Sequence, residues 1–188
     1  MTLATACGGD DKPDPGPDAA PDAPAAVDAP VPPAAFSMTG HVAAGGTPGA
    51  VVIAGWVVFL TTPDYVYKYG QGSATGASFT LSVPGVLPAE AQNPSSGTAA
   101  VIAEFPAGTV IADGKLPDSA TPIGFAPDEL LVYKPAGVNY PAWISAFPEG
   151  YSCGRCVRTP EPQDSLVPVA CAEVTITHDL MAEGCNLN

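Results

Sequence analysis

The chain of 188 residues has few basic side chains, few aromatic residues and only two histidines. Six lysines and arginines stand against 19 aspartates and glutamates, so the formal net charge is −13. Because phosphate binding needs clustered Lys and Arg, this charge argues against a nucleic-acid partner. It argues equally against electrostatic adsorption to an anionic membrane surface. The longest apolar run, residues 50–60, is too short for a spanning helix and suits a buried strand.

Signals for catalysis, metals and cofactors are also scarce. His41 and His178 each fall on a predicted strand, and they could hold a metal together with Asp64 or Asp179. Exposed strand histidines explain them more simply, so no metal and no cofactor is predicted. The sequence has no G-x-S-x-G elbow and no phosphate-binding loop, so no catalytic residue is assigned.

The first 35 residues differ in composition from the rest. They contain eight prolines and six aspartates but a single lysine and no aromatic residue. Such a segment cannot bury enough apolar surface to offset the entropy lost on ordering. We therefore predict a disordered acidic linker over residues 8–35 and a folded domain over residues 36–188.

The residues Ala4-Thr5-Ala6-Cys7 resemble the lipobox of bacterial lipoproteins, with Leu3 one place earlier than the family's leucine. Residues 1–7 are too short for a complete signal peptide, so we expect the natural start to lie further upstream. The Pro/Asp/Ala-rich stretch that follows resembles the tethers of Gram-negative surface lipoproteins. The resemblance implies a lipid on Cys7, membrane attachment through that lipid and, because Gly8 rather than Asp follows, the outer membrane. The alternative is that Cys7 is a thiol in a frayed terminus.

Short apolar or alternating runs follow from Phe36 onward, separated by clusters of turn residues that include the glycine-rich stretch 70–76. A six-residue stretch, 88–93, suits one turn of helix, and Asp128-Glu129 suits a solvated turn. Many short strands at this spacing predict an all-β domain, either a sandwich or a barrel. We place strands at residues 36–42, 51–60, 65–69, 78–83, 99–105, 129–134, 142–147 and 173–178.

Two stretches resemble the opening of prealbumin-like domains, including carboxypeptidase-regulatory-like modules. They are Thr39-Gly40-His41-Val42, before a Gly/Pro turn and a long apolar strand, and Gly76-Ala77-Ser78-Phe79-Thr80-Leu81. The resemblance covers residues 36–83 and implies an Ig-like or prealbumin-like β-sandwich without implying an activity. We expect disulfide-stapled loops at its C-terminal end.

Four cysteines lie in the last 36 residues, at positions 153, 156, 171 and 185. In an exported protein an even set predicts two disulfides, and three pairings are possible. We favour separate distant partners for Cys153 and Cys156, because a bridge between them would close only a tight loop. A CxxC redox site and a four-cysteine zinc site are the alternatives. Neither has the surrounding sequence that such sites require.

Alternate tyrosines in residues 63–69 give a candidate binding face. Tyr65, Tyr67 and Tyr69 fall on one side of a predicted strand, where they could bind a protein or the sugar rings of a glycan. Alternatively they pack inward or form cross-strand pairs. The leading hypothesis is a surface-anchored, non-catalytic lipoprotein whose β-domain binds a partner or supports the envelope. An exported hydrolase using carboxylates from separate loops, and an accessory subunit of an envelope machine, are the other two.

Overall fold

The computed structural model describes residues 34–57, 66–92, 98–112, 116–117, 119–137, 142–159 and 164–187. For residues 57, 66–69 and 90 it describes the backbone alone. All described residues belong to one compact unit, Pro32–Asn188. Cys7 and nearly all of the predicted linker lie outside the described residues.

The described part of the chain folds into a single curled sheet of nine strands. Their order across the sheet is β8-β7-β6-β5-β2-β3-β4-β1-β9. The connections include two 3₁₀ turns, Ala89–Ala91 and Cys171–Glu173, and one short helix, α1 (Ala142–Ser145). The strands are β1 (Phe36–Val42), β2 (Val51–Val57), β3 (Val66–Thr75), β4 (Ser78–Val83), β5 (Thr98–Phe105), β6 (Gly124–Lys134), β7 (Gly150–Val157), β8 (Ser165–Val169) and β9 (Thr175–Ile176).

The two-residue strand β9 closes part of this sheet into a ring. It pairs with β1 in parallel, through His41 with Thr175 and Val42 with Ile176. Just beyond it, Thr177 and Phe125 of β6 exchange two backbone hydrogen bonds of 2.9 and 3.0 Å. The ring therefore contains β6, β5, β2, β3, β4, β1 and β9, while β7 and β8 extend the sheet outside it.

The main core fills the inner face of the curled sheet. Strands β1 and β4 alternate strictly between exposed and buried residues, as period-two sequences predict. Gly40 in β1 lies against the ring of Phe79 in β4, so closely that a Cβ there would approach that ring to 2.4 Å. Phe36, the first residue of β1, stacks on Tyr151 of β7 with ring centroids 5.4 Å apart. This contact joins the start of β1 to β7. Burial and the neighbouring Tyr133 raise the pKa of the Tyr151 hydroxyl.

A second, smaller apolar cluster covers the outer face of β6, β7 and β8. Leu130, Val132 and Leu166 supply the sheet side of this cluster. Ile144 of α1 and Phe147 cover it, and Cys185 and Leu187 of the C-terminal segment pack beside them. Apolar side chains therefore cover the outer face of the sheet at the edge formed by β6, β7 and β8.

The structure confirms the all-β prediction and several individual elements. Strands β1 and β4 have the predicted bounds, and a helical turn lies within the predicted stretch 88–93. Trp56 is core, as its apolar strand predicts, with 1% of its surface exposed. Instead of two packed sheets, the described residues form one continuous sheet.

Four local predictions are wrong. The glycine-rich stretch 70–76 was expected to form a turn, yet β3 runs to Thr75. Gly72 permits the close pairing of β3 with β4, because a Cβ at this position would lie only 1.6 Å from the Thr80 carbonyl oxygen. The strand predicted at residues 142–147 is absent, and its first four residues form α1, since a short apolar run suits either a helix or a strand. The expected C-terminal loops contain β7 and β8. Glu129 is a buried residue of β6, not part of a solvated turn.

Candidate functional site

The four C-terminal cysteines form two disulfides on opposite sides of the sheet. Cys153 bonds Cys171, and Cys156 bonds Cys185, with Cα–Cα distances of 5.1 and 5.7 Å. Both Cys153 and Cys156 lie in β7, three residues apart, and a strand points residues at odd separations to opposite faces. Cys153 accordingly joins the main core and Cys156 joins the outer cluster. The prediction of separate distant partners is confirmed.

The same geometry argues against the redox and zinc hypotheses for these cysteines. Two cysteines on opposite faces of one strand cannot exchange a disulfide with each other or share a metal. Cys156, Cys185 and Asp164 do bring ligand atoms within 4.8 Å of one another. Both sulfurs of that group are already joined in a disulfide, so they are not available as thiolate ligands.

Arg158 fastens the C-terminal segment beside the second disulfide. Its guanidinium donates to the carbonyl oxygens of Glu183 and Gly184, each at 2.6 Å. It also contacts the carboxylates of Asp128 and Asp164 at 3.0 and 3.2 Å. The Arg158 guanidinium thus contacts four oxygen atoms from three parts of the chain, namely Asp128, Asp164 and residues 183–184.

Asp164 makes this attachment dependent on pH. Backbone N–H groups of Asn186 and Thr159, together with Arg158, hold the pKa of its carboxyl below the ordinary value of 3.8. The carboxylate therefore stabilises the fold above that ordinary pKa, and the stabilisation is lost as pH falls through the lowered value. We expect the stability difference between the native chain and Asp164→Asn to be full at pH 6 and to shrink on acidification.

Urea unfolding at several pH values measures this difference. Asp128→Asn, which alters an exposed carboxylate on the same guanidinium, is the matched control. A difference between native and Asp164→Asn that stays constant from pH 6 to pH 2 would contradict the assignment.

Two buried carboxylates, those of Glu129 and Glu104, bind residues 175–178, the segment that contains β9. Glu129 of β6 contacts Arg155 at 3.0 Å and accepts a hydrogen bond from the Thr175 backbone N–H at 3.4 Å. Arg155 also contacts Glu173 at 3.1 Å, and both carboxylates raise the pKa of its guanidinium, Glu129 first through a hydrogen bond. This network ties β6, β7 and the residues that flank β9.

The second buried carboxylate is Glu104 of β5, whose residue is fully buried. One oxygen accepts a hydrogen bond from the Thr47 backbone N–H at 3.0 Å, and the other lies 2.8 Å from His178 Nε2. Gly124 leaves space for the His178 imidazole, because a Cβ at position 124 would lie 2.8 Å from the imidazole Cδ2. Both oxygens of Glu104 are engaged in holding loops and strands together. His41 lies on the exposed side of β1, where its backbone pairs with Thr175.

The outer face of β3, β4 and β1 is a regular polar surface. Nine exposed residues stand there in three rows, each row crossing the three strands. Eight of them are uncharged polar residues, and the ninth is His41. From β3 through β4 to β1 the rows are Gln71–Ser82–Ser37, Ser73–Thr80–Thr39 and Thr75–Ser78–His41.

Part of this polar face is concave. An open depression of about 560 Å³ is lined by Ser37, Thr39, Gln71, Thr80 and Ser82 of the face. Ala172 and Cys171 of the second 3₁₀ turn also line it. The volume is within the range of small-ligand pockets, and the lining is mixed polar and apolar without a charged side chain. We take the nine residues and this depression as the candidate binding site and refer to them as the polar face.

The predicted tyrosine face lies largely outside the described residues. Tyr65 precedes β3, and Tyr67 and Tyr69 belong to β3 by their backbones, with Tyr67 opposite Trp56. Sequence reasoning missed the polar face, although the alternation in β1 and β4 could have indicated its two outer strands. The contribution of β3 could not be predicted while residues 70–76 were taken for a turn.

No protein-family model, curated protein or solved structure matches the chain. Within the part of the chain that the structure describes, no helix has the length and apolar character needed to cross a membrane.

Proposed function

We propose that the chain is an exported, lipid-anchored protein of the outer membrane whose β-domain binds a partner without catalysis. The observation that carries the proposal is the pairing of four of the five cysteines in two disulfides. Disulfides of this kind persist in oxidising compartments outside the cytosol. Cys7 is then the fifth cysteine, and lipid attachment explains its place after Ala4-Thr5-Ala6.

The acidic, proline-rich linker supports this role physically. A segment of 28 residues reaches about 90 Å as a polyproline II helix, and about 30 Å as a flexible coil. Either length would hold the domain away from a membrane surface. Gly8 after the cysteine favours retention at the outer membrane, by likeness to lipoproteins of this kind.

The binding role is supported by the polar face. A regular surface of exposed hydroxyl and amide groups offers many hydrogen bonds to a ligand while it requires no charge to be desolvated. The hydrolase hypothesis expected carboxylates from separate loops. Among the described residues the two buried carboxylates lie instead in strands β5 and β6, where they contact His178 and the Thr175 backbone N–H.

We also propose, on the resemblance of residues 36–83, that the curled sheet is a variant of an Ig-like or prealbumin-like sandwich. The antiparallel pairing of β1 with β4 and the packing of Gly40 against Phe79 support it. These contacts bring together the two stretches that carry the resemblance.

Replacing the anchor cysteine tests the attachment. With the chain produced from its full natural gene, Cys7→Ser is expected to move the protein from the membrane fraction to the soluble fraction. Ser152→Ala, at a position remote in sequence from the anchor, is the control and should stay with the membrane. Equal amounts of native protein and Cys7→Ser in the membrane fraction would overturn the anchoring role.

A further inference from the structure

The polar face has a chemical character that narrows its ligand. Its nine positions comprise seven serines and threonines, one glutamine and one histidine, in a chain whose net charge is −13. We propose that the polar face binds a neutral polysaccharide chain. This inference rests on the binding role proposed above and names its ligand class.

The absence of charge on the nine positions argues for a neutral ligand. An anionic ligand would need Arg or Lys beside it, and a cationic ligand would need carboxylates, and the nine residues include neither. A serine or threonine hydroxyl donates one hydrogen bond and accepts others, so it can match a sugar hydroxyl in either orientation. A neutral ligand also avoids repulsion from the acidic remainder of the chain.

The spacing of the rows suits a repeating ligand. Neighbouring strands lie about 4.8 Å apart, and residues on one face recur at about 6.7 Å along a strand. The row Ser73–Thr80–Thr39 therefore presents three hydroxyls at regular intervals across the strands, and the parallel row Gln71–Ser82–Ser37 repeats them. The depression lies on these two rows and could accommodate part of a sugar chain. Polymers of sugars, unlike folded proteins, present hydroxyls at short regular intervals.

A protein partner fits this face less well. Protein interfaces are enriched at their centres in aromatic residues, methionine and arginine. None of these residue types occurs among the nine positions. The net contribution of a hydrogen bond to a neutral hydroxyl is small, so a single domain binds weakly. Many copies tethered to one membrane would bind a polymer with an effective affinity far above that of one domain.

Binding to defined neutral oligosaccharides tests the proposal. We would titrate the oxidised full chain with cellohexaose, maltohexaose, laminarihexaose and chitohexaose, with an alginate hexamer as the anionic comparison, and follow binding by ligand-observed NMR. The expected result is binding of at least one neutral hexamer and none of the alginate. The triple variant Thr39→Ala/Thr80→Ala/Ser82→Ala should weaken that binding about tenfold or more, since three hydrogen-bonding groups are lost.

Two further variants make the outcome decisive. Thr80→Lys places a charge at the centre of the face at an exposed position, and it should abolish binding while thermal unfolding stays near the native temperature. Thr121→Ala, which removes an exposed threonine outside the face, should bind as the native chain does. The inference is overturned if no neutral hexamer binds, if the face variants bind normally, or if Thr80→Lys instead dissociates a self-associated form of the chain. None of these results bears on the membrane fractionation of Cys7→Ser, so the two proposals fail separately.

Discussion

Replacing all four disulfide cysteines by alanine is expected to lower the free energy of unfolding by about 6 kcal/mol. Loops of the observed size, with cysteines 18 and 29 residues apart, contribute about 3 kcal/mol each through restriction of the unfolded chain. Because domains are stable by about 5–15 kcal/mol, this loss is a large share of the whole. Urea unfolding of the native and quadruple-alanine chains under the same oxidising conditions measures it.

The two disulfides should differ in what their loss releases. Cys153–Cys171 joins the inner face of β7 to the turn that leads into β9, so its removal loosens the closure of the ring. Cys156–Cys185 holds the C-terminal segment on the outer cluster, where Arg158 also fastens it. Hydrogen exchange at the Thr177 amide should therefore be faster when Cys153 and Cys171 are replaced. Exchange at the Asn186 amide should be faster when Cys156 and Cys185 are replaced. Cys7→Ala is the control, and a loss under about 1 kcal/mol for the quadruple variant would refute the stapling role.

Replacing His178 is the second change with a large expected effect. His178→Ala leaves one carboxyl oxygen of the fully buried Glu104 without its hydrogen-bonding partner, and an unsatisfied buried polar group costs about 1–3 kcal/mol. Glu104→Gln keeps a side-chain oxygen that can accept from the Thr47 backbone N–H, so it should cost about 1 kcal/mol. The double variant should be less destabilised than the sum of the two, because each single change already disturbs the contact that the two side chains share.

His41→Ala is the matched control for this series. His41 is exposed on β1, so its replacement should change the unfolding free energy by less than about 0.5 kcal/mol. Additive losses in Glu104→Gln and His178→Ala would show that the two side chains are not coupled and do not act together in closing the ring.

The sequence predicted the parts of the fold whose residues alternate in hydrophobicity. Strands β1 and β4 follow period two along their whole length, and their bounds were predicted correctly. Strand β7 was missed because its sequence, with two glycines, two cysteines and an arginine, has little apolar character. Its stability comes from disulfides and an ion pair, which are made with residues distant in the chain.

The candidate site was predictable to a lesser degree. The tight loop that a Cys153–Cys156 bridge would close favoured distant partners for both cysteines but left two pairings open. The strand conformation of β7, which points the two side chains to opposite faces, adds the physical reason for separate partners. The Glu104–His178 contact joins residues 74 positions apart, and no local pattern indicates it. The polar face depends on the register of three strands, and periodicity alone gives the face of each strand but not which strands are neighbours.

Mass spectrometry of the chain isolated from its native membranes tests the central claim most directly. A digest without reduction should yield an N-terminal peptide that begins at Cys7 and carries the added mass of a lipid. The same digest should yield disulfide-linked peptides joining Cys153 to Cys171 and Cys156 to Cys185. An unmodified Cys7 thiol, with the other four cysteines reduced in a soluble fraction, would contradict the proposal that this protein is an exported, lipid-anchored binding domain.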